Sequence, residues 1–344
     1  MVSRRWSLKR DVERFLKFLS LFPKNLGVIS HANADPDALA SSLVVCSIVK
    51  KMTGYHPSVI FPEGISRVSR KILSYTEVSL EFYEEMKRSI KALIIVDTAT
   101  LNQFGPLCNK VKEFKGRAFL IDHHIPDSDL IGLCYDSILK EEVATSVIVY
   151  NISKELGVQL STNELFLVLT GILFDTRRFM IASPTALKVV SEILESGVSY
   201  SAAIESLQQE MDVSERIARL KAAGRIKLYK LDKWLVATTK VSSFEASAAR
   251  ALMNLGADVV FVASDKDDFV RISARCTRSF YEEAGISVGQ HILRKVAEAF
   301  SGSGGGHHLA GGATVVGDID AILEKCVELL SNITHLSIKR IKID

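Results

Sequence analysis

The segment Arg117-Ala-Phe-Leu-Ile-Asp-His-His124 decides how this chain is read. A short apolar run ends abruptly in Asp122, His123 and His124, three side chains that bind metals or protons. In open α/β sheets, ligands bind beyond the carboxyl ends of the strands, so the run reads as a strand that delivers chemistry to a sheet edge. Two more runs end the same way: Leu26–Ser30 is followed by His31, Asp35 and Asp37, and Ala92–Val96 by Asp97. One His pair after a strand is more often a surface turn. Three such endings in one chain point to a site.

Outward from that segment, strands and helices alternate. Leu8–Phe22 predicts an amphipathic helix packed on the domain and closed by Pro23. Ala38–Met52 predicts another, with Leu39, Leu43 and Cys46 spaced by threes and fours, and Gly54 as its left-handed cap. Pro57–Phe61 reads as a short strand, Phe104–Phe114 as a helix and Leu130–Tyr135 as a fifth strand. This alternation implies crossovers and a mainly parallel sheet covered on both faces. Glu142–Leu156 and Thr162–Phe174 read as consecutive helices, the second nearly all apolar and running into Asp175. A carboxylate ending a buried helix is costly unless paired or metal-bound, although hydrogen bonds from nearby backbone would serve as well.

Ser183–Lys221 reads as helical and mixed in polarity. After Gly224 the pattern changes: Arg225–Lys230, Trp234–Lys240, Asp258–Ser264 and Phe269–Cys276 are strand-like, with a tight hairpin at Leu231–Lys233. Helices are expected at Ser243–Leu255, Val288–Phe300 and Asp318–Leu330. The expected organisation is α/β throughout: a mainly parallel-sheet domain at 1–188, a helical connector at 189–222 and a smaller mixed α/β domain at 223–344.

A length of 344 residues suits about two domains. The formal charge of +3 argues against wrapping long duplex nucleic acid, which needs a dense basic stripe, but leaves room for a local basic pocket. Cys46, Cys108, Cys134, Cys276 and Cys326 are scattered, with no CxxC pair. That is neither a disulfide framework nor a zinc finger, and it suits a reducing cytoplasm. Lys17 interrupts the apolar stretch near the start, so neither a signal peptide nor a membrane span is expected.

The candidates are His31, Asp35, Asp37, Asp97, Asp122, His123, His124 and Asp175. Such a set can hold two divalent ions, and a carboxylate on a strand end, such as Asp97, could bridge them. Oxygen-rich ligation with some imidazole suits Mn²⁺, with Co²⁺ and Mg²⁺ as alternatives. Two ions about 3.5–4 Å apart form a clamp for in-line attack at phosphorus. A second concentration is Ser301-Gly-Ser-Gly-Gly-Gly-His-His-Leu-Ala-Gly-Gly-Ala313. It reads as a flexible linker or as a binding loop; its histidines and its place between two elements favour the loop, with backbone N–H groups offered to phosphate oxygens. Arg275 and Arg278 follow a strand and are either phosphate ligands or ordinary surface arginines.

These residues resemble the DHH phosphoesterase superfamily in the arrangement with a C-terminal DHHA1 domain. His31-Ala-Asn-Ala-Asp-Pro-Asp-Ala-Leu-Ala-Ser41 resembles its first motif, Val96-Asp97 the second, Asp122-His123-His124 the motif that names it, and Gly171-Ile-Leu-Phe-Asp-Thr176 the fourth. Gly304-Gly-Gly-His-His-Leu-Ala-Gly-Gly312 resembles the DHHA1 signature, and Arg271-Ile-Ser-Ala-Arg275 the strand before it. The resemblance implies a two-manganese site, with His31, Asp35 and Asp97 on one ion, Asp37, Asp97, His123 and Asp175 on the other, and Asp97 bridging. It implies Asp122 behind a ligand imidazole, His124 facing the scissile phosphate, and catalytic roles for His124, Asp122 and Asp97. Substrate would be bound by His124, Arg275, Gly304, Gly305, Gly306 and His307, with the active site in the inter-domain cleft. Ala34, Pro36, Ala40, Arg177, Cys276 and Ser303 depart from the family pattern, and none of them removes a metal ligand.

The activity so implied is phosphodiester hydrolysis of short oligonucleotides or of linear or cyclic dinucleotides, such as pApA and cyclic di-AMP, to 5′-mononucleotides. The alternatives are a phosphatase of 3′-phosphoadenosine 5′-phosphate, of pyrophosphate or of polyphosphate, and a catalytically idle nucleotide-binding module. The resemblance also implies a homodimer, formed through the helices after the fourth motif, and the apolar content of Val143–Leu173 allows it.

Overall fold

Leu26, Val28, Ile94, Phe119 and Ile121 lie in one buried cluster while Ile29, Leu93, Ile95 and Leu120 lie in another. Neighbours along each strand thus point to opposite faces, and both faces are covered. This computed structural model describes residues 8–208 and 211–342. The chain divides into two compact units, Met1–Gln209 and Glu210–Asp344.

In the first unit, strands β1 (Leu26–Ile29), β2 (Ser58–Ile60), β3 (Ala92–Val96), β4 (Arg117–Asp122) and β5 (Cys134–Leu139) form a parallel sheet in the order β2-β1-β3-β4-β5. The helices of this unit are α1 (Leu8–Leu21), α2 (Pro36–Thr53), α3 (Arg67–Leu73), α4 (Cys108–Lys112), α5 (Ser128–Leu133), α6 (Thr145–Glu155), α7 (Thr162–Asp175), α8 (Pro184–Glu195) and α9 (Tyr200–Ser206). The larger core joins α1, α2, α6 and α7 to one sheet face, with Phe15 and Phe18 each about 5 Å, ring to ring, from Phe119. Full burial of each such side chain contributes about 1.5–3 kcal/mol. Gly54 caps α2 in the left-handed conformation (φ 71°), and Ser161 with Glu164 forms a capping box at the start of α7.

Two expectations need correction in this unit. Residues 130–135 are not one strand: Asp127 accepts the Leu130 amide, so helix α5 forms first and β5 begins only at Cys134. A short apolar run cannot by itself tell strand from helix. The helix expected at Phe104–Phe114 is broken by Gly105 (φ 51°) and Pro106, leaving a 3₁₀ segment at Leu101–Leu107 before α4. Val147 and Ile148 of α6 and Leu167, Val168 and Leu169 of α7 belong to the larger core.

The second unit has α10 (Val213–Gly224), α11 (Glu245–Asn254), α12 (Arg278–Ala284), α13 (Arg294–Ala299) and α14 (Ile319–Thr334). Its strands are β6 (Lys227–Leu231), β7 (Trp234–Lys240), β8 (Val259–Asp265), β9 (Val270–Cys276), β10 (Ser303–Gly306), β11 (Ala310–Val315) and β12 (Ile338–Ile341). They form one sheet, β10-β11-β9-β8-β7-β6-β12, antiparallel except between β7 and β8. A two-residue turn at Asp232-Lys233 joins β6 to β7. The helix expected over Val288–Phe300 begins instead as a π-helical segment, Val288–Leu293, continued by α13. Among the described residues no helix is long and apolar enough to cross a membrane.

Candidate metal centre

Because β1, β3 and β4 are parallel neighbours, their carboxyl ends lie at one edge of the sheet and carry His31, Asp97, Asp122 and His123 there. The chain visits β2 on the far side of β1 before returning to β3, so this edge is where strand order reverses, the place where open α/β sheets take ligands. Helix α2 starts at the same edge and brings Asp35 and Asp37, while α7 ends there with Asp175.

One donor atom from each of Asp37, Asp97, His123 and Asp175 lies within 4.8 Å of the others. The same holds for His31, Asp35 and Asp97, and for Asp97, Asp122, His123 and His124. Asp97 belongs to all three groups. His123 Nε2 stands 3.4 Å from Asp175 Oδ2 and 3.6 Å from Asp97 Oδ1; His31 Nε2 stands 3.8 Å from both Asp35 Oδ1 and Asp97 Oδ2. These separations exceed a hydrogen bond and approach those of ligands sharing one ion, about 3 Å for bonds of about 2.1 Å at right angles.

Backbone carbonyls fix the tautomers. His31 Nδ1 donates to Ala32 O at 2.9 Å and His123 Nδ1 to Glu142 O at 3.1 Å, which leaves each Nε2 with its lone pair toward the carboxylates. His123 Nε2 is buried with no hydrogen-bond partner, and so is Asp122 Oδ2. His124 is tied differently: its Nδ1 and its amide donate to Asp122 Oδ1 at 2.9 and 3.0 Å. Asp122 therefore orients His124, not His123, and leaves the half-exposed His124 ring with Nε2 available.

Electrostatics favour cations here. Burial, then repulsion from Asp37, Asp35, Asp122 and Asp175, raises the Asp97 carboxyl well above the usual range. Burial and the same neighbours push Asp175 up to about 9, and burial raises Asp37 as well. Burial opposes ionisation of Asp35 and Asp122 too, yet His31 and two amides hold the first below its ordinary value, and His124 does so for the second. His31 is raised by Asp35 and by the Ala32 carbonyl, against the pull of burial; the Asp122 bond raises His124. Crowded carboxylates with no anchoring thiolate and an orphaned imidazole lone pair fit hard divalent ions.

Asp35 and Asp37 are also held by helix ends. Asp35 Oδ1 caps α2 by accepting from the amides of Asp37 and Ala38, with Pro36 suited to the first helical position. Asp37 accepts from the amides of Thr145 (2.6 Å) and Ser146 (2.8 Å) and from the Ser146 hydroxyl, while Thr145 Oγ1 donates to Asp97 at 3.0 Å. Sequence reasoning missed Glu142, Thr145 and Ser146; the helix expected from Glu142 starts only at Thr145, where the Thr-Ser pair meets Asp37 and Asp97. Asp97 itself has φ 50°, a left-handed strain tolerable for Asp that places its carboxylate among all three groups. Arg177, Arg178 and Phe179 are also left-handed (φ 49°, 58° and 66°), pinned where the Phe179 amide donates to Thr176 Oγ1. Arginine thus occupies a conformation that glycine would adopt freely.

In the second unit, the glycine-rich stretch is not a loop. Gly304, Gly305 and Gly306 lie in β10, paired with β11 across a turn that contains exposed His307. A Cβ at Gly304 would meet Leu293 O at 2.7 Å, and one at Gly306 would meet Ala310 O at 2.4 Å, so packing explains both glycines. At Gly305 nothing lies within 4 Å, which leaves room for a ligand. Arg275, paired with Ala310 in register, has a buried Nε without a partner, and burial together with Arg250 lowers its affinity for protons. Arg278 is exposed beside Glu282 at 3.4 Å, as an ordinary surface arginine would be.

A doubly covered parallel sheet with an acid–imidazole cluster at its switch point, followed by a mixed-sheet unit, is the arrangement found here, and the chain's relatives make it a hydrolase of phosphoric esters. The chain belongs to the DHH family: residues 25–172 match its N-terminal domain, and residues 234–332 match the DHHA1 domain. It is 33% identical over 312 residues to the protein MJ0988 of Methanocaldococcus jannaschii, covering 89% of this chain and 92% of that one. It is 28% identical over 308 residues to the bifunctional oligoribonuclease and PAP phosphatase NrnA of Bacillus subtilis, covering 83% of this chain and 87% of that one. An exopolyphosphatase-related protein from Bacteroides fragilis shares the fold, with a TM-score of 0.61 at 17% identity over 97% of this chain and 99% of that one.

Proposed function

We propose that the chain is a two-metal phosphodiesterase, Mn²⁺-loaded in the cytoplasm, that cleaves short oligonucleotides or dinucleotides to 5′-mononucleotides. The observation that carries this reading is the membership of Asp97 in every cation-holding group, the geometry expected of a bridging carboxylate. Similarity to NrnA over most of both chains supports a nucleotide substrate. Two ions held by His31, Asp35 and Asp97 and by Asp37, Asp97, His123 and Asp175 would neutralise the substrate phosphate and make an attacking water acidic.

The chain's own residues then do the following. The carbonyls of Ala32 and Glu142 keep the ligand imidazoles in the Nε2-accepting tautomer. Thr145 and Ser146 hold Asp37 and Asp97 in place before any ion arrives. Asp122 keeps a proton on His124 Nδ1, so His124 Nε2, when protonated, donates to a phosphate oxygen. Arg275 and His307, with Gly305 leaving space, bind the nucleotide part of the substrate. The filled ligand set speaks against an idle binding module. A homodimer fits the exposed Met180, Ile181 and Leu187 that follow the fourth motif, and sedimentation tests it.

The test is to incubate the protein with Mn²⁺ and diadenylate, a trinucleotide, 3′-phosphoadenosine 5′-phosphate or pyrophosphate and to follow the products. Mononucleotide release from the first two supports the reading. Turnover of 3′-phosphoadenosine 5′-phosphate alone would establish the phosphatase alternative, which the name of the same relative supports.

A further inference from the structure

At the opposite ends of β3 and β4 from the metal residues, the first unit has a cavity of about 550 Å³, a size suited to a small ligand. Lys91 immediately precedes β3, Arg117 opens β4, and Lys115 lies just before it; all three line the cavity. Among the described residues no carboxylate forms an ion pair with any of them, and no acid lines the space. Arg117 instead stacks over the Tyr135 ring at 5.9 Å.

The remaining walls are apolar and planar. Half-buried Phe22, in ring contact with Phe18 at 5.3 Å, and half-buried Phe114 both border the cavity, with buried Ile90 between the elements. Gly116 permits this shape: a Cβ there would stand 2.2 Å from Lys91 O and 2.3 Å from the Phe114 ring. Lys91, Lys115 and Arg117 are exposed cations around one opening whose described lining holds no acid, so an oxyanion there meets only positive charge. Aromatic rings beside them offer a surface to a flat heterocycle.

We propose that this cavity binds a phosphorylated molecule carrying a planar ring, of the size of a purine mononucleotide, separately from the metal centre. Lys91, Lys115 and Arg117 take the phosphate, and Phe22 and Phe114 take the ring. The site is roughly 17 Å from the metal edge along β3, whose five residues rise about 3.3 Å each.

Equilibrium dialysis with AMP tests this on the full Mn²⁺-loaded chain, in parallel with Lys115→Glu/Arg117→Glu and with Asp97→Asn. Wild type and Asp97→Asn should both show a site that the double variant weakens by roughly tenfold or more. The double variant should still hydrolyse diadenylate at the wild-type rate, because neither residue is near the metal edge. Inorganic phosphate and ribose 5-phosphate should compete at least about tenfold more weakly than AMP, since they lack the ring. Unchanged AMP stoichiometry and affinity in the double variant, or phosphate binding as tight as AMP, overturns the proposal. The reading of the metal centre is untouched by either result, because retention of this site in Asp97→Asn separates the two.

Discussion

A Cβ at position 171 would stand 3.1 Å from Asp37 Oδ1 and 2.5 Å from Ser146 Oγ, so it is Gly171 that lets α7 lie against the Asp37 carboxylate. Gly171→Ala must push Asp37 or Ser146 out of place, at an overpacking cost of about 1–3 kcal/mol. Ser146→Ala removes only the hydroxyl bond and should lower metal affinity by about 10–100-fold, the usual effect of losing a partner behind a ligand. Isothermal titration with Mn²⁺ measures both; wild-type affinity in Ser146→Ala would show that the hydroxyl does not position Asp37.

The Asp97 carboxylate should be indispensable to turnover but not to folding. Asp97→Asn keeps the side-chain shape and the Thr145 contact, yet offers a neutral amide where the proposed mechanism needs one carboxylate to serve two ions. Diadenylate hydrolysis should fall by roughly 10³-fold or more, with an unchanged circular dichroism spectrum. Near-wild-type rates at limiting Mn²⁺ would sink the two-metal assignment.

The His pair should separate into two behaviours. His123→Ala loses a ring whose Nε2 faces Asp97 and Asp175, so bound metal and rate should both drop. His124→Ala loses a ring anchored on Asp122, so metal content should hold while the rate falls by roughly 10²-fold. Elemental analysis of the purified variants decides this, and equal metal loss in both contradicts it.

Without metal, the centre should weaken the fold as pH rises. Asp175 holds its proton up to about 9 in the folded chain but releases it near 4 when unfolded, so the native state binds more protons between those values. The stability from this raised pKa is fully present below about pH 4 and is lost as pH climbs through about 9. Melting in EDTA should therefore fall across that window. Asp175→Asn should flatten the slope and raise the metal-free melting temperature at about pH 8, whereas Mn²⁺ should stabilise wild type most at high pH. An Asp175→Asn slope identical to wild type would remove Asp175 as the cause.

His307→Ala and Arg275→Ala should lower kcat/KM for a dinucleotide by roughly tenfold or more while sparing bis-p-nitrophenyl phosphate, which lacks a nucleotide to be held. Parallel losses on the two substrates would make these residues structural.

The sheet and most of the residues that cluster at its edge were legible because apolar runs ending in Asp or His announce both strand and chemistry at once. Ala92–Val96 and Trp234–Lys240 form strands over the ranges expected. The conformations of residues 130–135 and of Gly304–Gly306 were not legible because short runs lack a decisive period, and because glycine in a strand serves close packing as readily as it serves a turn. Ser146 and Glu142 carry no motif of their own. Their importance arises from contacts with residues 109 and 19 positions away in the chain, which no local pattern encodes.

The anchoring of the acids also governs how a lineage of such chains would decay after its substrate vanished. Asp35 would persist because its oxygen caps α2, and Asp122 because it ties down the His124 backbone. Asp175 faces Asp37 and His123, members of the same cluster, and burdens the empty fold through its raised pKa. Drift should therefore erase Asp175 before Asp35 or Asp122, leaving pseudoenzymes that still display an intact first motif and an intact Asp-His-His. The residue at the end of α7 should then be a sharper marker of living chemistry than the Asp122-His123-His124 triplet that closes β4.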